Sequence, residues 1–352
     1  MAAYGELIPT NLVTGFLGSG KTTLLNRLLR SDRLANTAVL INEFGEVGLD
    51  HLLLETLDAE TVLLQSGCVC CTIRGDLADA MRGLFERRER GLLPAFDRLA
   101  IETTGLADPA PIVSTLLADP VLRHHFRLGA IVTTVDAANA RLHLNQHPES
   151  FKQAAIADRI VLTKTDLVDE AEVRHLMRTL GALNPAAALV DMQVPDFDPA
   201  DLLAADAYDP ATRSQEVRRW LADEAERPAA HDHHGDPNRH ARGIESFCLT
   251  FDEPLDWTAF GLWLTMLLHV HGQNVLRVKG LLNVVDVATP VVIHGVQHTV
   301  HPPAHLEGWP NGDRRSRIVF IVRRLEPALI ERSLAAFNRL ANPPGREVAR
   351  PA

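Results

Sequence analysis

Residues 7–29 read LIPTNLVTGFLGSGKTTLLNRLL. Residues 7–13 are apolar enough to predict a strand. Leu24, Leu25, Leu28 and Leu29 recur at the spacing of one helix face and predict a helix. Between them Gly15, Gly18, Ser19, Gly20, Lys21 and Thr22 complete the pattern G-x-x-x-x-G-K-[ST]. Strand, glycine loop and helix in that order predict an α/β unit whose helix N-terminus faces an anion. The glycines let backbone N–H groups turn inward around phosphate oxygens. In this reading Lys21 reaches the β- and γ-phosphates, and Thr22 offers its hydroxyl to Mg²⁺ with Thr23 beside it.

Working outward, residues 160–162 predict a short strand ending in Thr163-Lys164-Thr165-Asp166. The pattern [NT]-K-x-D at such a strand end is that of GTPases. Asp166 is able to accept from both N1–H and N2–H₂ of guanine, a donor pair adenine lacks, while the Lys164 stem lies over the base. Residues 97–101 predict another strand, ending in Glu102-Thr103-Thr104-Gly105. Glu102 stands where an acid completes a Mg²⁺ shell, usually through water, or else caps the next helix. Gly105 is a candidate switch at the γ-phosphate. Residues 38–41 predict a strand leading into Asn42-Glu43-Phe44-Gly45-Glu46, a candidate nucleotide-sensitive loop. The strand over 131–135 ends at Asp136, to which no role is assigned.

The bulk numbers bound the rest. A chain of 352 residues is comfortable for two domains, and 46% hydrophobic with 23% charged residues is an ordinary globular composition. The net charge of -10 argues against a protein held to nucleic acid by its overall field. No apolar run approaches the roughly 20 residues of a membrane helix. The N-terminal stretch lacks the basic and apolar regions of a signal peptide, so the expectation is a cytoplasmic protein.

Four cysteines occur, and Cys68, Cys70 and Cys71 fall within four positions, in SGCVCC at residues 66–71. Neighbouring cysteines are awkward partners for a mutual disulfide, and a disulfide scaffold spreads its cysteines. A soft-metal site, a redox thiol or a structural accident remain. The preceding residues 61–65 predict a strand, and a helix is expected from about Gly75.

Taken in order, GFLGSGKTT, INEFGEVGLD, SGCVCC, IETTGLADP, VDA at 135–137, ADRIVLTKTDL, RVKGLL and HGVQH resemble the CobW-type P-loop GTPases, and within them the YjiA branch and the zinc-transfer GTPases. The resemblance covers residues 7 to about 325, and its C-x-C-C separates this family from other small P-loop GTPases. It implies a P-loop GTPase domain with a mostly parallel sheet, followed by a smaller α+β C-terminal domain. It also implies that C-x-C-C is a metal site coupled to the nucleotide switch. Cys68, Cys70 and Cys71 would supply up to three ligands, suited to Zn²⁺ or Cu⁺. Glu46, then Glu43, or a water, would complete the set. GTP or GDP, Mg²⁺ and Zn²⁺ are the implied cofactors, with Co²⁺, Ni²⁺ or Fe²⁺ as alternatives to zinc. A client metalloprotein is the implied partner, and an oligomer is compatible with the sequence.

The expected domains are residues 1–192, a linker 193–243, a C-terminal domain 244–342 and a tail 343–352. A helix is expected over 214–225. Within the linker, RPAAHDHHGDPNRH at 227–240 places His231, His233 and His234 among carboxylates and prolines. That composition predicts a loop, either a weak metal-gathering arm, as the resemblance implies, or a solvated linker. Beyond it, 244–252 predicts a strand, 255–271 a helix capped by Asp256 and closed by Gly272, and 327–340 a last helix. Residues 274–284, 289–300 and 316–325 predict further strands. Cys248 is expected in the core. His294, His298, His301 and His305 form a second histidine group, read as surface polarity on a strand and a proline-containing loop or else as a client or metal contact, with His294 and His298 sharing a face if the strand runs through 298.

Three function classes follow: a GTP-hydrolysing metallochaperone, a metal-sensing regulatory GTPase, and a P-loop kinase. Thr163-Lys164-Thr165-Asp166 argues against the kinase. Within the first, zinc delivery leads over cobalt for a corrinoid or iron for a nitrile hydratase. The candidate catalytic residues are Lys21, Thr22, Glu102 and Gly105. No glutamine or arginine finger stands near Gly105, so slow intrinsic turnover is expected.

Overall fold

The computed structural model describes residues 7–42, 63–65, 73–204, 217, 243–310 and 312–341. The chain divides into two units, Met1–Ala229 and Ala230–Ala352.

The first unit is built on a seven-stranded parallel sheet. Its strands are β1 (Ile8–Gly15), β2 (Thr37–Asn42), β3 (Leu63–Gln65), β4 (Arg98–Thr103), β5 (Phe126–Asp136), β6 (Arg159–Thr163) and β7 (Ala188–Asp191). They lie in the order β3-β2-β4-β1-β5-β6-β7. Helices α1 (Lys21–Leu29), α2 (Ile73–Glu89), α3 (Ala110–Ala118), α4 (Leu122–His125), α5 (Ala140–Gln146), α6 (Pro148–Ile156), α7 (Glu170–Leu183) and α8 (Asp201–Ala204) connect or follow them. Parallel strands buried on both faces read as apolar runs. Every residue of β5 is accordingly buried. Leu24, Leu25 and Leu28 of α1 pack with Val13, Val39, Ala100, Val132 and Val161 in one core, with Leu29 against its margin.

Two polar residues repair irregularities in this unit. The register of β1 on β5 shifts between Thr10 and Leu12. There Asn11 Oδ1 accepts from the Ala130 N–H at 2.9 Å. Gly129 makes room for it, because a Cβ at that position would lie 2.3 Å from Asn11 Oδ1. Asn184, fully buried at the end of α7, points Nδ2 at the carbonyls of Ala154, Ala155 and Ala157 at 2.9, 3.0 and 2.9 Å. It thereby covers carbonyls at the C-terminal end of α6, where a helix runs out of its own N–H donors.

The second unit is an antiparallel sheet with two helices. Strands β8 (Ile244–Phe251), β9 (Val275–Leu282), β10 (Val291–Val296), β11 (Thr299–Val300) and β13 (Ser316–Arg323) run in the order β11-β10-β9-β13-β8, with β12 (Ala304–His305) also on β10. Helices α9 (Trp257–His271) and α10 (Pro327–Ala341) share a core with Val278, Ile293, Ile318 and Phe320 of the sheet. Trp263 of α9 joins three elements: its ring meets Phe320 edge-on at 6.2 Å, and its Nε1–H donates to Ser333 Oγ of α10 at 2.9 Å. Asp256 caps α9 by accepting from the Ala259 N–H.

Two sequence expectations are corrected here. Cys248 is exposed, not core. It lies on edge strand β8, where alternation turns Phe247, Leu249 and Phe251 to the core and Cys248 away from it. The strand carrying His294 stops at Val296, because Gln297 takes φ of 49° and turns the chain. His298 therefore leaves the strand, and its Nδ1 lies 2.9 Å from the Leu268 carbonyl at the end of α9. His294 and His301 are buried rather than surface residues. The histidine-rich loop lies outside the described residues, as does the helix expected over 214–225 apart from Val217.

Asn184→Ala should expose the α6 carbonyls to an apolar surround. The expected loss is about 2–3 kcal/mol, two to three hydrogen bonds with no replacement. Hydrogen exchange of β5 and β6 amides measures it. Asp256→Ala should cost the second unit about 1 kcal/mol, the usual value of a helix cap.

Candidate functional site

The register lines up the C-terminal ends of four strands. Val13 pairs with Glu102, Gly15 with Thr134, and Asp136 with Thr163. The loops that leave β1, β4, β5 and β6 consequently share one edge of the sheet, where open α/β folds bind ligands.

The glycine loop adopts a shape that side chains oppose. Gly15, Gly18 and Gly20 have φ of 143°, 69° and 90°. At Gly15 a Cβ would lie 2.3 Å from Thr134 Oγ1 and 2.6 Å from Ser19 Oγ. Ser19 is buried, shares a 2.6 Å hydrogen bond with Thr134, and its carbonyl accepts from Thr163 Oγ1 at 2.8 Å. Lys21 folds back so that Nζ donates to the carbonyls of Gly15 and Phe16 at 3.0 and 3.1 Å. The first turn of α1 holds no acid, so its N–H groups face a place suited to an anion. Thr23, on the same turn, is exposed. Phe16 stacks on His147 with centroids 4.4 Å apart and meets His143 at 4.7 Å, an aromatic brace absent from the motif reading.

Thr22 Oγ1 donates to Glu102 Oε1 at 2.9 Å, which brings together a hydroxyl and a buried carboxylate from two strands' loops. Hard oxygen donors of this kind suit Mg²⁺. Gly105 sits hard against the glycine loop: a Cβ there would lie 2.6 Å from the Leu17 nitrogen and 2.8 Å from its Cα. The segment is pinned from behind by Gln153 of α6, fully buried, whose Nε2 donates to the carbonyls of Gly105 and Ala107 at 3.1 and 3.0 Å. Lys152 adds a 3.1 Å ion pair to Asp108. Nothing in the local sequence marks Gln153, because its partners are more than forty residues away.

Asp136, unassigned from sequence, is structural to the site. Lys164 Nζ reaches its Oδ2 at 2.7 Å and donates also to the Gly18 carbonyl at 2.8 Å. Burial by itself would raise the Asp136 pKa. Lys164, Asn139 and the Ala138 N–H overcome it and hold the carboxyl below the ordinary carboxylate range. Asp166 is exposed at the mouth of this edge, and its Oδ1 accepts from Gln193 Nε2 at 3.0 Å.

The candidate metal ligands Glu43, Glu46, Cys68, Cys70, Cys71, His231, His233 and His234 lie outside the described residues. Strands β2 and β3 do end at the same sheet edge as the glycine loop, with Asn42 opposite Thr103 and Ile41 opposite Gln65. Among the described residues no group of three or more His, Cys, Asp and Glu is placed to hold a metal ion. No helix among them is long and apolar enough to cross a membrane.

Comparison with known proteins gives two family matches. Residues 9–191 match the CobW/HypB/UreG nucleotide-binding domain, and residues 244–338 match the cobalamin synthesis protein CobW C-terminal domain. The zinc chaperone YjiA of Escherichia coli K12 is 30% identical over 335 residues, covering 94% of this chain and 99% of that protein. The zinc-regulated GTPase metalloprotein activator 1 of Schizosaccharomyces pombe is 33% identical over 209 residues, covering 57% of this chain and 50% of that one. The crystal structure of Zn(II)-bound YjiA GTPase from Escherichia coli superimposes with a TM-score of 0.71 at 28% identity, over 94% of this chain and 99% of that chain.

Gly105→Ala is expected to push its Cβ into the Leu17 backbone and lower nucleoside triphosphate affinity at least about tenfold, as backbone rather than a flexible side chain must yield. Titration with a fluorescent triphosphate analogue checks it. A pH effect is expected at His143, whose pKa is lowered by burial, with His147 and Lys164 adding to it and Asp136 opposing. As pH falls through about 6.5, the unfolded chain takes up this proton before the folded one, so stability drops. The melting temperature between pH 7.5 and 5.5 should fall less in His143→Gln.

Proposed function

The chain belongs to the CobW/HypB/UreG family, with a CobW-type C-terminal domain, and from that premise we propose that it is a GTP-hydrolysing metallochaperone for zinc. The observation that carries the nucleotide half is the shared edge on which Lys164 ties the glycine loop to the Thr163–Asp166 segment. Gly15, Gly18, Ser19, Gly20, Thr22 and Thr23 then hold the phosphates, and Thr163, Lys164 and Asp166 hold guanine. Lys21, whose Nζ lies within the glycine loop at the Gly15 and Phe16 carbonyls, reaches the β- and γ-phosphate oxygens. Thr22 and Glu102 are the residues that would hold Mg²⁺, which neutralises charge on the phosphates when bound. Gly105, resting on Leu17, reads whether a γ-phosphate is present. With no arginine or glutamine assigned to the attacking water, turnover of the isolated protein is slow.

The cargo half rests on the resemblance and on the relatives' names, which describe zinc chaperones and a zinc-regulated GTPase. Cys68, Cys70 and Cys71, with Glu46 or Glu43, take zinc as cargo, and His231, His233 and His234 gather it weakly. Residues 1–192 do the nucleotide work, and 244–342 form the second domain. The stretches 43–62 and 66–72 follow strands that end at the same edge of the sheet as the glycine loop, beyond β4, which supports coupling between nucleotide state and metal affinity. By linkage, a nucleotide that changes metal affinity is itself bound differently when metal is present. Hydrolysis then releases zinc to a client metalloprotein in the cytoplasm. The same family membership supports delivery of cobalt or iron, or metal sensing without transfer.

Zinc affinity by chelator competition, with a non-hydrolysable GTP analogue and with GDP, tests the proposal. The expected difference is tenfold or more, about 1.4 kcal/mol, and it should vanish in Cys70→Ser. Equal affinities in the two states would overturn nucleotide-driven release from those thiols. Transfer to a metal-free client then separates chaperone from sensor.

A further inference from the structure

The turn that carries Asp166 is tied to the segment after β7 through one carboxylate oxygen. Asp191 Oδ1 accepts from Thr165 Oγ1 at 2.8 Å and from the Gln193 N–H at 2.9 Å. Residues 165 and 193 are thus hung from a single atom, at the end of a strand paired in register with β6. From that frame Gln193 Nε2 donates to Asp166 Oδ1 at 3.0 Å. The fold thus fixes the backbone that carries both side chains of the contact.

The chemistry of the contact is specific. An aspartate carboxylate is a flat acceptor with about four lone-pair sites, and its last torsion is broad. Recognition of guanine needs one site on each oxygen, side by side, for N1–H and N2–H. Oδ1 has a second site, so a donor there would leave that pair open and hold the carboxylate plane. We propose that Gln193 is a positioning residue for base specificity: its amide orients Asp166 so that both carboxylate oxygens meet guanine at once. This rests on the reading of Asp166 as the guanine acceptor. In water the hydrogen bond stabilises little, since both side chains are exposed. Its effect falls on the bound state, where a base covers Asp166 and the orientation is already set.

The test measures the affinities of the full chain for GDP, IDP and ADP by calorimetry, in the wild type and in Gln193→Ala, Gln193→Glu and Asp166→Ala. IDP lacks the 2-amino group, so the ratio of GDP to IDP affinity reports the second hydrogen bond. Gln193→Ala should weaken GDP about threefold to tenfold, the range of one hydrogen bond, leave ADP unchanged and narrow the GDP-to-IDP ratio. Gln193→Glu should lose more at pH 7.5, because a carboxylate neither donates nor tolerates Asp166 beside it. If Gln193→Ala leaves GDP affinity and the ratio unchanged, or tightens GDP, while Asp166→Ala removes the preference over ADP, the inference fails and the guanine reading stands. If Asp166→Ala keeps the preference for GDP over ADP, the guanine reading fails and takes the inference with it.

Discussion

One ammonium group holds the candidate site together. Lys164 Nζ bridges the Gly18 carbonyl and Asp136 Oδ2, so a single side chain joins the loop after β1 to the ends of β5 and β6. The backbone at Lys164 takes φ of 57°, a left-handed conformation that costs an L-residue about 1–2 kcal/mol. Two charge-assisted contacts offset that cost. Asp136 is almost wholly buried, and removing Lys164 would leave its charge without its closest counter-ion, the more damaging half of any such pair. The strain and the ion pair therefore support each other and hold the glycine loop against the ends of β5 and β6.

The tie works because the sheet is parallel and its register is tight. Every strand that matters ends at the same edge, and every β5 residue is buried, so the edge has little freedom to shift. Local polar devices keep it so. Asn11 fills the irregularity opposite Gly129, and Asn184 closes the end of α6. From α6, Gln153 and Lys152 reach the segment around Gly105, which in turn packs against Leu17 of the glycine loop. A contiguous set of contacts thus runs from the place suited to phosphates into a helix on the face of the sheet.

The antiparallel unit obeys different rules. One face of its sheet carries the apolar side chains that meet α9 and α10, with Trp263 joining the three. Alternation along β8 and β10 then sends Cys248 and His294 to the other face, where one is exposed and the other buried. Alternation thus places Cys248 correctly where its apolar neighbours misled, and it does not say that the face carrying His294 is covered.

Much of the site was legible in the residues themselves. The spacing of Gly15, Gly20, Lys21 and Thr22 is a local requirement: a tight loop must precede a helix, and only certain side chains permit it. Thr163-Lys164-Thr165-Asp166 and Glu102 were readable for the same reason, since each closes an apolar strand. Many of the strands and helices around them followed from periodicity, but β5 begins five residues before the expected strand, β10 ends four residues early, and β7 was not foreseen. What the sequence determined by itself was therefore the order of elements and the chemistry at each strand end. The tertiary structure alone decided which ends meet. It gave Asp136 its task under Lys164, placed Gln153 behind Gly105 and Gln193 beside Asp166, and turned the chain at Gln297 so that His298 left its strand. Those contacts join residues far apart in the chain, and only the register of one strand on another sets which distant side chains come within hydrogen-bond reach.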